Sequence, residues 1–408
     1  MIAGEKIRVL IADDSPVVRE VLRDMIAAEK DLEVAGEAVN GRQAVELAAA
    51  VKPDIITMDV MMPVMNGLEA VEEIMAFNPT PILVFSSAVS DKEMDVAFQA
   101  IARGALDVME KPKAVSGQPF DEIRLELLAK LRLLSRIHVI PHLRARRKRR
   151  QQEKSAANGE NHQLSGPETP APGLPLRPAA APPAAAPLVE ILERAPLEPT
   201  PHEPVPLPRG AVHRRLVAVG ASTGGPKALV QIFRSLPAQL PVPVLAVQHI
   251  AHSFAPGLVA WINRESPMSV ELAQDRERPQ PGTLYISPTG IHMILEKGLI
   301  RLSDSPPVNS CKPSVDELFF SVAKEMGELA VGALLTGMGR DGAEGLYAMK
   351  KKGALTLVQD ERTSVIFGMP RAAIELGAED EVIPLPEMAR AIVRSLAAKP
   401  NRRGGESK

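Results

Sequence analysis

A serine set among glycines is the first residue of this chain whose setting could do chemistry. Ser222 lies in Gly220-Ala221-Ser222-Thr223-Gly224-Gly225-Pro226, where the apolar run Leu216 to Val219 ends and a helical apolar pattern opens. A strand-to-helix turn of this kind lifts the hydroxyl clear of a sheet, and the free N–H groups of the opening helix point at whatever binds there. Pro226 suits the first helical turn because it has no N–H to leave without a partner. By the geometry of the turn, Thr223 is a candidate to hold an oxyanion through its backbone N–H.

A serine hydroxyl is a weak nucleophile near neutral pH unless an imidazole takes its proton and a carboxylate fixes the tautomer. Of eight histidines, His249 is the best placed, at the end of the apolar run Val244 to Val247 and after Gln248. Asp341 offers the carboxylate: Val331 to Leu335 leads into Thr336-Gly337-Met338-Gly339-Arg340-Asp341-Gly342, a further strand running into a glycine-rich loop. Each has a plainer reading alone: a surface serine, a solvated histidine, an N-cap aspartate. Three strand ends that can converge on one sheet edge make the joint reading the stronger one. His252 and His292 read as structural or peripheral. The order Ser, His, Asp differs from the Ser, Asp, His order of the α/β-hydrolases, so that fold is not expected.

A second constellation stands near the N-terminus. Asp13 and Asp14 end the apolar run from Ile7, Asp59 ends the run from Ile55, and Ser86 and Lys111 follow later runs. Three carboxylates close together suit a hard cation such as Mg2+, completed by water and phosphate oxygens. An aspartate beside that metal can accept a phosphoryl group, with Lys111 and the Ser86 hydroxyl positioned for its oxygens.

The elements that must hold these residues alternate along the chain. From about residue 5 to 113, short apolar runs and amphipathic helical patterns take turns, which predicts a doubly wound parallel sheet with ligands at the carboxyl ends of its strands. Phe120 to Leu143 reads as an amphipathic helix closing that unit, and the basic run Arg144 to Arg150 as cations on its solvated end. Pro, Ala, Gly, Ser and Glu dominate from Gln151 to about Val212, the composition of a disordered linker. Alternation then resumes, with a β-rich middle from Val270 to Leu302. The expected boundaries are a first unit at 1–143, a linker at 144–212, a second α/β unit at 213–400 and a disordered tail at 401–408.

Composition bounds the function classes. A length of 408 residues favours two domains, each with its own core. A net charge of −2 supplies no global basic field, and no helix-turn-helix or basic recognition helix stands out, so nucleic acid is not an expected partner. The single cysteine, Cys311, cannot close an intrachain disulfide and suits a reducing compartment; it reads as a small packed residue rather than a nucleophile. No apolar run approaches the roughly 18 residues of a membrane span, and Met1 to Lys6 is no signal peptide, so a cytoplasmic protein without membrane insertion is expected.

Ala12-Asp13-Asp14-Ser15, Met58-Asp59-Val60-Met61-Met62-Pro63 through Asn66-Gly67, Phe85-Ser86-Ser87 and Glu110-Lys111-Pro112 resemble the motifs of the response-regulator receiver domain, a flavodoxin-like fold. The resemblance implies Mg2+ at Asp13, Asp14 and Asp59, and phosphorylation of Asp59 by a partner sensor histidine kinase. It departs at Val108, where many receivers carry an aromatic switch residue.

The later blocks are similar to the catalytic domain of the chemotaxis protein-glutamate methylesterases. They are Gly220 to Pro226, Gln248-His249, Pro313-Ser314-Val315-Asp316, Thr336 to Gly342, and Gln359-Asp360-Glu361 through Gly368-Met369-Pro370, within about 213 to 398. This resemblance implies a three-layer α/β domain with a mostly parallel sheet, gives Ser222, His249 and Asp341 the roles argued above, and adds a Met338 backbone N–H to the oxyanion hole. The expected activity is hydrolysis of γ-glutamyl methyl esters on the cytoplasmic helices of chemoreceptors, with deamidation of receptor glutamines and no cofactor for the ester reaction. Ile250-Ala251 stands where many relatives have Met-Pro. The long linker is expected to weaken any inhibition in which the receiver covers the active site.

Three rivals are weighed against this. A phosphate-binding loop at Gly220 to Lys227 is broken by Pro226. A metal hydrolase on His249, His252 and Asp341 lacks the H-E-x-x-H spacing. The alternative that stays open is a non-catalytic or rewired two-component scaffold acting on a partner other than a chemoreceptor.

Overall fold

A computed structural model describes residues 6–87, 90–111, 120–139, 204–207 and 210–399. The basic run 144–150, most of the linker and the tail 401–408 lie outside the described residues.

The first unit is a parallel sheet of five strands, β1 (Ile7–Ala12), β2 (Leu32–Ala38), β3 (Ile55–Met58), β4 (Ile82–Ser86) and β5 (Asp107–Glu110), ordered β2-β1-β3-β4-β5. Helices α1 (Pro16–Ala27), α2 (Gly41–Val51), α3 (Gly67–Phe77), α4 (Asp91–Ala102) and α5 (Phe120–Leu134) connect or follow these strands. Every residue of β3 and β4 is buried, which is why both read as near-continuous apolar runs, with Thr57 inside the first and Ser86 ending the second. The side chains of Ser15 and Asn40 accept from the first turns of α1 and α2, and Asn66 with Glu69 forms a capping box on α3. Strand order reverses at β1, and the crevice between the carboxyl ends of β1 and β3 holds Asp13 and Asp59.

The helix expected to reach Leu143 stops at Leu134. There the Ser135 hydroxyl donates to Arg132 O at 3.2 Å and the Ile137 N–H folds back on Leu134 O at 3.0 Å. Local bonds of this kind compete with the next helical turn.

The second unit is a sheet of seven strands, ordered β14-β13-β12-β6-β7-β9-β8. These are β6 (Leu216–Ala221), β7 (Val244–Gln248), β8 (Ser269–Leu272), β9 (Thr283–Ile286), β12 (Ala330–Leu334), β13 (Leu355–Gln359) and β14 (Glu381–Ile383), and every pairing is parallel. The antiparallel part is a separate hairpin, β10 (His292–Glu296) and β11 (Leu299–Ser303), joined by Lys297 and Gly298. Both linking residues have positive φ, 52° and 72°, as a tight two-residue hairpin turn requires.

Helices cover both faces: α6 (Gly225–Phe233), α7 (Ala255–Glu265), α8 (Val315–Glu325), α9 (Ala343–Lys351), α10 (Met369–Glu375) and α11 (Leu385–Ala397). Alternation along β6 sorts the two cores. Val217 and Val219 pack in the cluster of Leu229, Phe233 and Ile392, whereas Leu216 and Ala218 join Leu318, Phe319 and Leu346. The result is the three-layer arrangement expected, with a sheet that is wholly rather than mostly parallel.

The two units touch. Phe98 of α4 stacks on Trp261 of α7 and meets Phe254 edge-on, Arg264 pairs with Asp95 at 2.9 Å, and the Ser253 hydroxyl donates to Glu110 at 2.7 Å. Among the described residues no helix is long and apolar enough to cross a membrane.

Candidate active site

Ser222 follows β6 directly, and Gly224 makes the turn into α6 with φ +77°. A side chain at Gly224 would be strained by that angle and would meet Val365 Cβ at 2.5 Å, so the turn demands glycine. His249 follows β7, the neighbouring strand. Its N–H donates to Ala221 O at 3.0 Å, extending the β6–β7 ladder one residue past β7 and setting the backbone of His249 beside the serine turn. Gln248 fastens the two: its Nε2 donates to Ser222 O and to His249 O, each at 2.8 Å.

Asp341 lies on the loop after β12, on the other side of β6 from β7. Its Oδ2 stands 2.9 Å from His249 Nε2. Asp341 does not cap its own helix, since Gly342 holds the N-cap position of α9. Instead it accepts from the opening of α8: the Ser314 hydroxyl and the Val315 N–H at 2.7 Å, and the Asp316 N–H at 3.2 Å. Asn309 Nδ2 adds a bond at 3.2 Å. Burial alone would push this carboxyl up, but the His249 ring, Ser314 and Val315 outweigh it and hold the group below the usual carboxylate range. A helix N-terminus thus keeps the carboxylate ionised against the ring.

Burial works to push His249 down, yet the hydrogen bonds to Asp341 and Cys311 prevail and hold its pKa up at about 9. Cys311 Sγ lies 3.8 Å from Nδ1, the second ring nitrogen. Ser222 Oγ makes no hydrogen bond to the ring among the described residues, so the serine and histidine are strand-end neighbours that are not yet bonded. Catalytic hydrogen bonds are often long without substrate.

The backbone N–H groups of Thr223 and Met338 have no protein acceptor among the described residues. The chain before Met338 runs flush against the serine: the Ser222 N–H donates to Thr336 O at 3.0 Å, and a Cβ on Gly337 would sit 2.8 Å from Ser222 Cβ. Two donors near a strand-end hydroxyl can serve a developing oxyanion.

His252 and His292 stand apart from this group. His252 Nδ1 faces Thr289 Oγ1 at 2.6 Å. Buried His292 accepts from the Ser314 N–H at 3.1 Å and so supports the residue that bonds Asp341. Asn309 and Cys311 escape a reading by motif, and Gln248, although part of the Gln248-His249 block, is given no role by it. Asp316, buried beneath the site, accepts from Asn309 at 2.7 Å and from the Gly345 N–H at 2.7 Å, and burial raises its pKa to about 6.

In the first unit, Lys111 Nζ bridges Asp13 Oδ2 at 2.7 Å and Asp59 Oδ2 at 2.8 Å. Carboxylate oxygens of Asp13, Asp14 and Asp59 lie within 4.8 Å of one another. Burial raises Asp59 to about 6, with Lys111 opposing it. The Ser86 hydroxyl is buried with no hydrogen-bond partner. All-oxygen donors suit Mg2+, and the orphaned hydroxyl fits a phosphoryl oxygen that would satisfy it.

Comparison with known proteins accords with both halves. Residues 9–116 match the response regulator receiver domain family and residues 217–392 the CheB methylesterase family. Protein-glutamate methylesterase/protein-glutamine glutaminase 2 of Anaeromyxobacter dehalogenans is 40% identical over 386 residues, covering 95% of this chain and 96% of that one. Protein-glutamate methylesterase/protein-glutamine glutaminase 3 of Paramagnetospirillum magneticum is 40% identical over 399 residues, covering 98% of each. The crystal structure of the Thermotoga maritima CheB methylesterase catalytic domain aligns at 33% identity and a TM-score of 0.43, covering 45% of this chain and 99% of that one. With such identity sustained over nearly the full length of its relatives, this chain belongs to the protein-glutamate methylesterase/protein-glutamine glutaminase family, with a receiver domain ahead of a CheB methylesterase domain.

Proposed function

We propose that this chain hydrolyses γ-glutamyl methyl esters on the cytoplasmic helices of chemoreceptors and deamidates glutamines there, under control of phosphorylation at Asp59. The carrying observation is the 2.9 Å contact between His249 Nε2 and Asp341 Oδ2, with the ring on the strand end next to Ser222. Because Nε2 is committed to Asp341, Nδ1 is the nitrogen left to act as base. Ser222 Oγ attacks the ester carbonyl as its proton passes to Nδ1, and the N–H groups of Thr223 and Met338 hold the oxyanion. His249 returns the proton to the methoxy oxygen, methanol leaves, and water repeats the cycle on the acyl-enzyme. With glutamine the same attack releases ammonia.

On the receiver side, Asp59 takes the phosphoryl group from a sensor histidine kinase, and Lys111 and Ser86 hold its oxygens. A bound Mg2+ would supply positive charge beside Asp13, Asp14 and Asp59. Two of the receiver's contacts with the catalytic unit lie near the esterase residues. Glu110, next to Lys111, accepts from Ser253, four residues after His249. Ile366, next to the Phe367 that pairs with Gly337, belongs to the same apolar cluster as Leu127 and Leu131 of α5. Both contacts support restraint of the unphosphorylated enzyme.

Methanol release from methylated receptor tests the reading. Ser222→Ala should abolish it and prevent labelling by a serine-directed phosphonate; near-normal release from Ser222→Ala would end the proposal. A phosphonate that leaves the wild-type chain unlabelled would favour the scaffold alternative.

A further inference from the structure

We propose that Cys311 and His249 form a binding site for a thiophilic divalent cation, zinc being the fitting one, whose occupation stops the hydrolysis proposed above; the regulatory half of this rests on that reading. Cys311 Sγ stands 3.8 Å from His249 Nδ1, while Nε2 on the far side of the ring faces Asp341 at 2.9 Å. The ion's protein ligands are thus Sγ and Nδ1, with Asp341 Oδ2, bonded to Nε2, as an outer-shell partner. Zinc bonds of about 2.3 Å to sulfur and about 2.0–2.1 Å to nitrogen, at the tetrahedral angle, separate the two ligands by about 3.6 Å. Sγ and Nδ1 therefore lie almost where one ion would hold them.

The surroundings favour the same occupant. A carboxylate on the second nitrogen fixes the ring and raises its basicity, the usual outer-shell arrangement for a metal-binding histidine. Val308 and Cys311 exchange backbone hydrogen bonds of 3.1 and 2.8 Å, closing a tight turn that holds the thiol beside the ring. Sulfur and imidazole select zinc over magnesium, whereas the all-carboxylate group of Asp13, Asp14 and Asp59 selects the harder ion. The two sites divide the cations by chemistry.

Binding exchanges protons for the metal. The Cys311 S–H bond and, on the protonated ring, the His249 Nδ1–H bond break, the protons go to solvent, S–Zn and N–Zn bonds form, and nothing is oxidised or reduced. The Nδ1 lone pair that would take the Ser222 proton is then held by the ion. Hydrolysis stops until the ion is removed.

The test uses the full chain in excess Mg2+, which occupies the acidic site, with Co2+ as spectroscopic probe and Zn2+ as inhibitor. One equivalent of Co2+ should produce a near-ultraviolet thiolate-to-cobalt charge-transfer band. Zn2+ should displace that band with loss of methanol release, and a chelator should restore the rate. In Cys311→Ala the band should be absent, and Zn2+ should leave that variant's own zinc-free rate unaltered. A wild-type chain without the band, a band that survives Cys311→Ala, or inhibition that survives it, overturns the site. A chain that binds Co2+ through Cys311 but keeps its rate in saturating Zn2+ overturns the regulation. If no ester is hydrolysed under any condition, the esterase reading fails while the band still decides the metal site.

Discussion

The ring of Phe98 in the receiver lies stacked on Trp261 of the catalytic unit, their centroids 5.4 Å apart and their planes 26° from parallel. Trp261 belongs to α7, which begins shortly after His249 and carries Gly257 on the face turned to the receiver: a Cβ there would meet Met94 Cβ at 2.9 Å and Phe98 Cε2 at 3.0 Å. The two helices approach this closely because the residue between them is a glycine.

Gly257→Ala therefore acts as a wedge. It should part α4 from α7 without removing a core atom from either unit, and alanine favours the helix itself by about 1 kcal/mol. The expected outcome is faster methanol release from the unphosphorylated chain, towards the rate of residues 213–408 alone, with a smaller further gain on phosphorylation. An unchanged unphosphorylated rate would show that this contact imposes no restraint.

Asp341 joins two tasks, holding the His249 ring and accepting the first N–H groups of α8. Asp341→Asn keeps the shape but loses the charge that both tasks use. Turnover should fall by a factor on the order of 10^3 to 10^4, as when the carboxylate of other serine triads is neutralised. The melting temperature should fall as well, since α8 loses an anion at its N-terminus. Full turnover in Asp341→Asn would contradict the proposed base.

Much of this site was legible because strand ends announce themselves: apolar runs ending at Ala221, Gln248 and Leu335 place Ser222, His249 and the Asp341 loop on one rim. Asp13, Asp59, Ser86 and Lys111 were readable for the same reason. The loop from 305 to 313 carries no period, so the approach of Cys311 and Asn309 to His249 and Asp341 left no trace in the pattern, and Cys311 read as a packing residue. The docking of α4 on α7 was hidden differently. Phe98, Phe254 and Trp261 look like core residues of their own units, and they are, but the two cores run together.

The raised pKa of His249 has a pH consequence. A ring held up at about 9 is largely protonated at neutral pH, so with His249 as the proposed base kcat/KM should rise as pH rises through that value. Stability runs the opposite way: the imidazolium's contribution is fully present below the ordinary histidine pKa of about 6.5 and is lost as pH rises through about 9. The Asp341 bond raises the group most, and the Cys311 bond raises it further. Cys311→Ala should therefore move the acidic limb of the kcat/KM profile to lower pH. A limb that stays in place would show that the thiol does not bear on the ring.

Gln248 offers the sharpest separation of function from stability. Its Nε2 joins Ser222 O to His249 O, and two carbonyl acceptors fix which end of the amide faces them. Its other end, Oε1, is buried without a hydrogen-bond partner, and a Cβ on Gly225 would lie 1.9 Å from it. Gln248→Leu keeps most of the volume, removes the orphaned oxygen and gives up the two bonds. Ser222 O retains the Gly225 N–H at 2.8 Å, so the carbonyl that loses most is that of His249. Gain and loss are each about 1–3 kcal/mol and oppose one another, so the melting temperature should move little. The proposed nucleophile and base, no longer tied, should lose alignment, and an ångström there costs on the order of 10^2 in rate. The expected result is a fall in kcat at unchanged KM, slower phosphonate labelling and near-normal stability. A melting temperature that drops in step with kcat would reduce Gln248 to a packing residue.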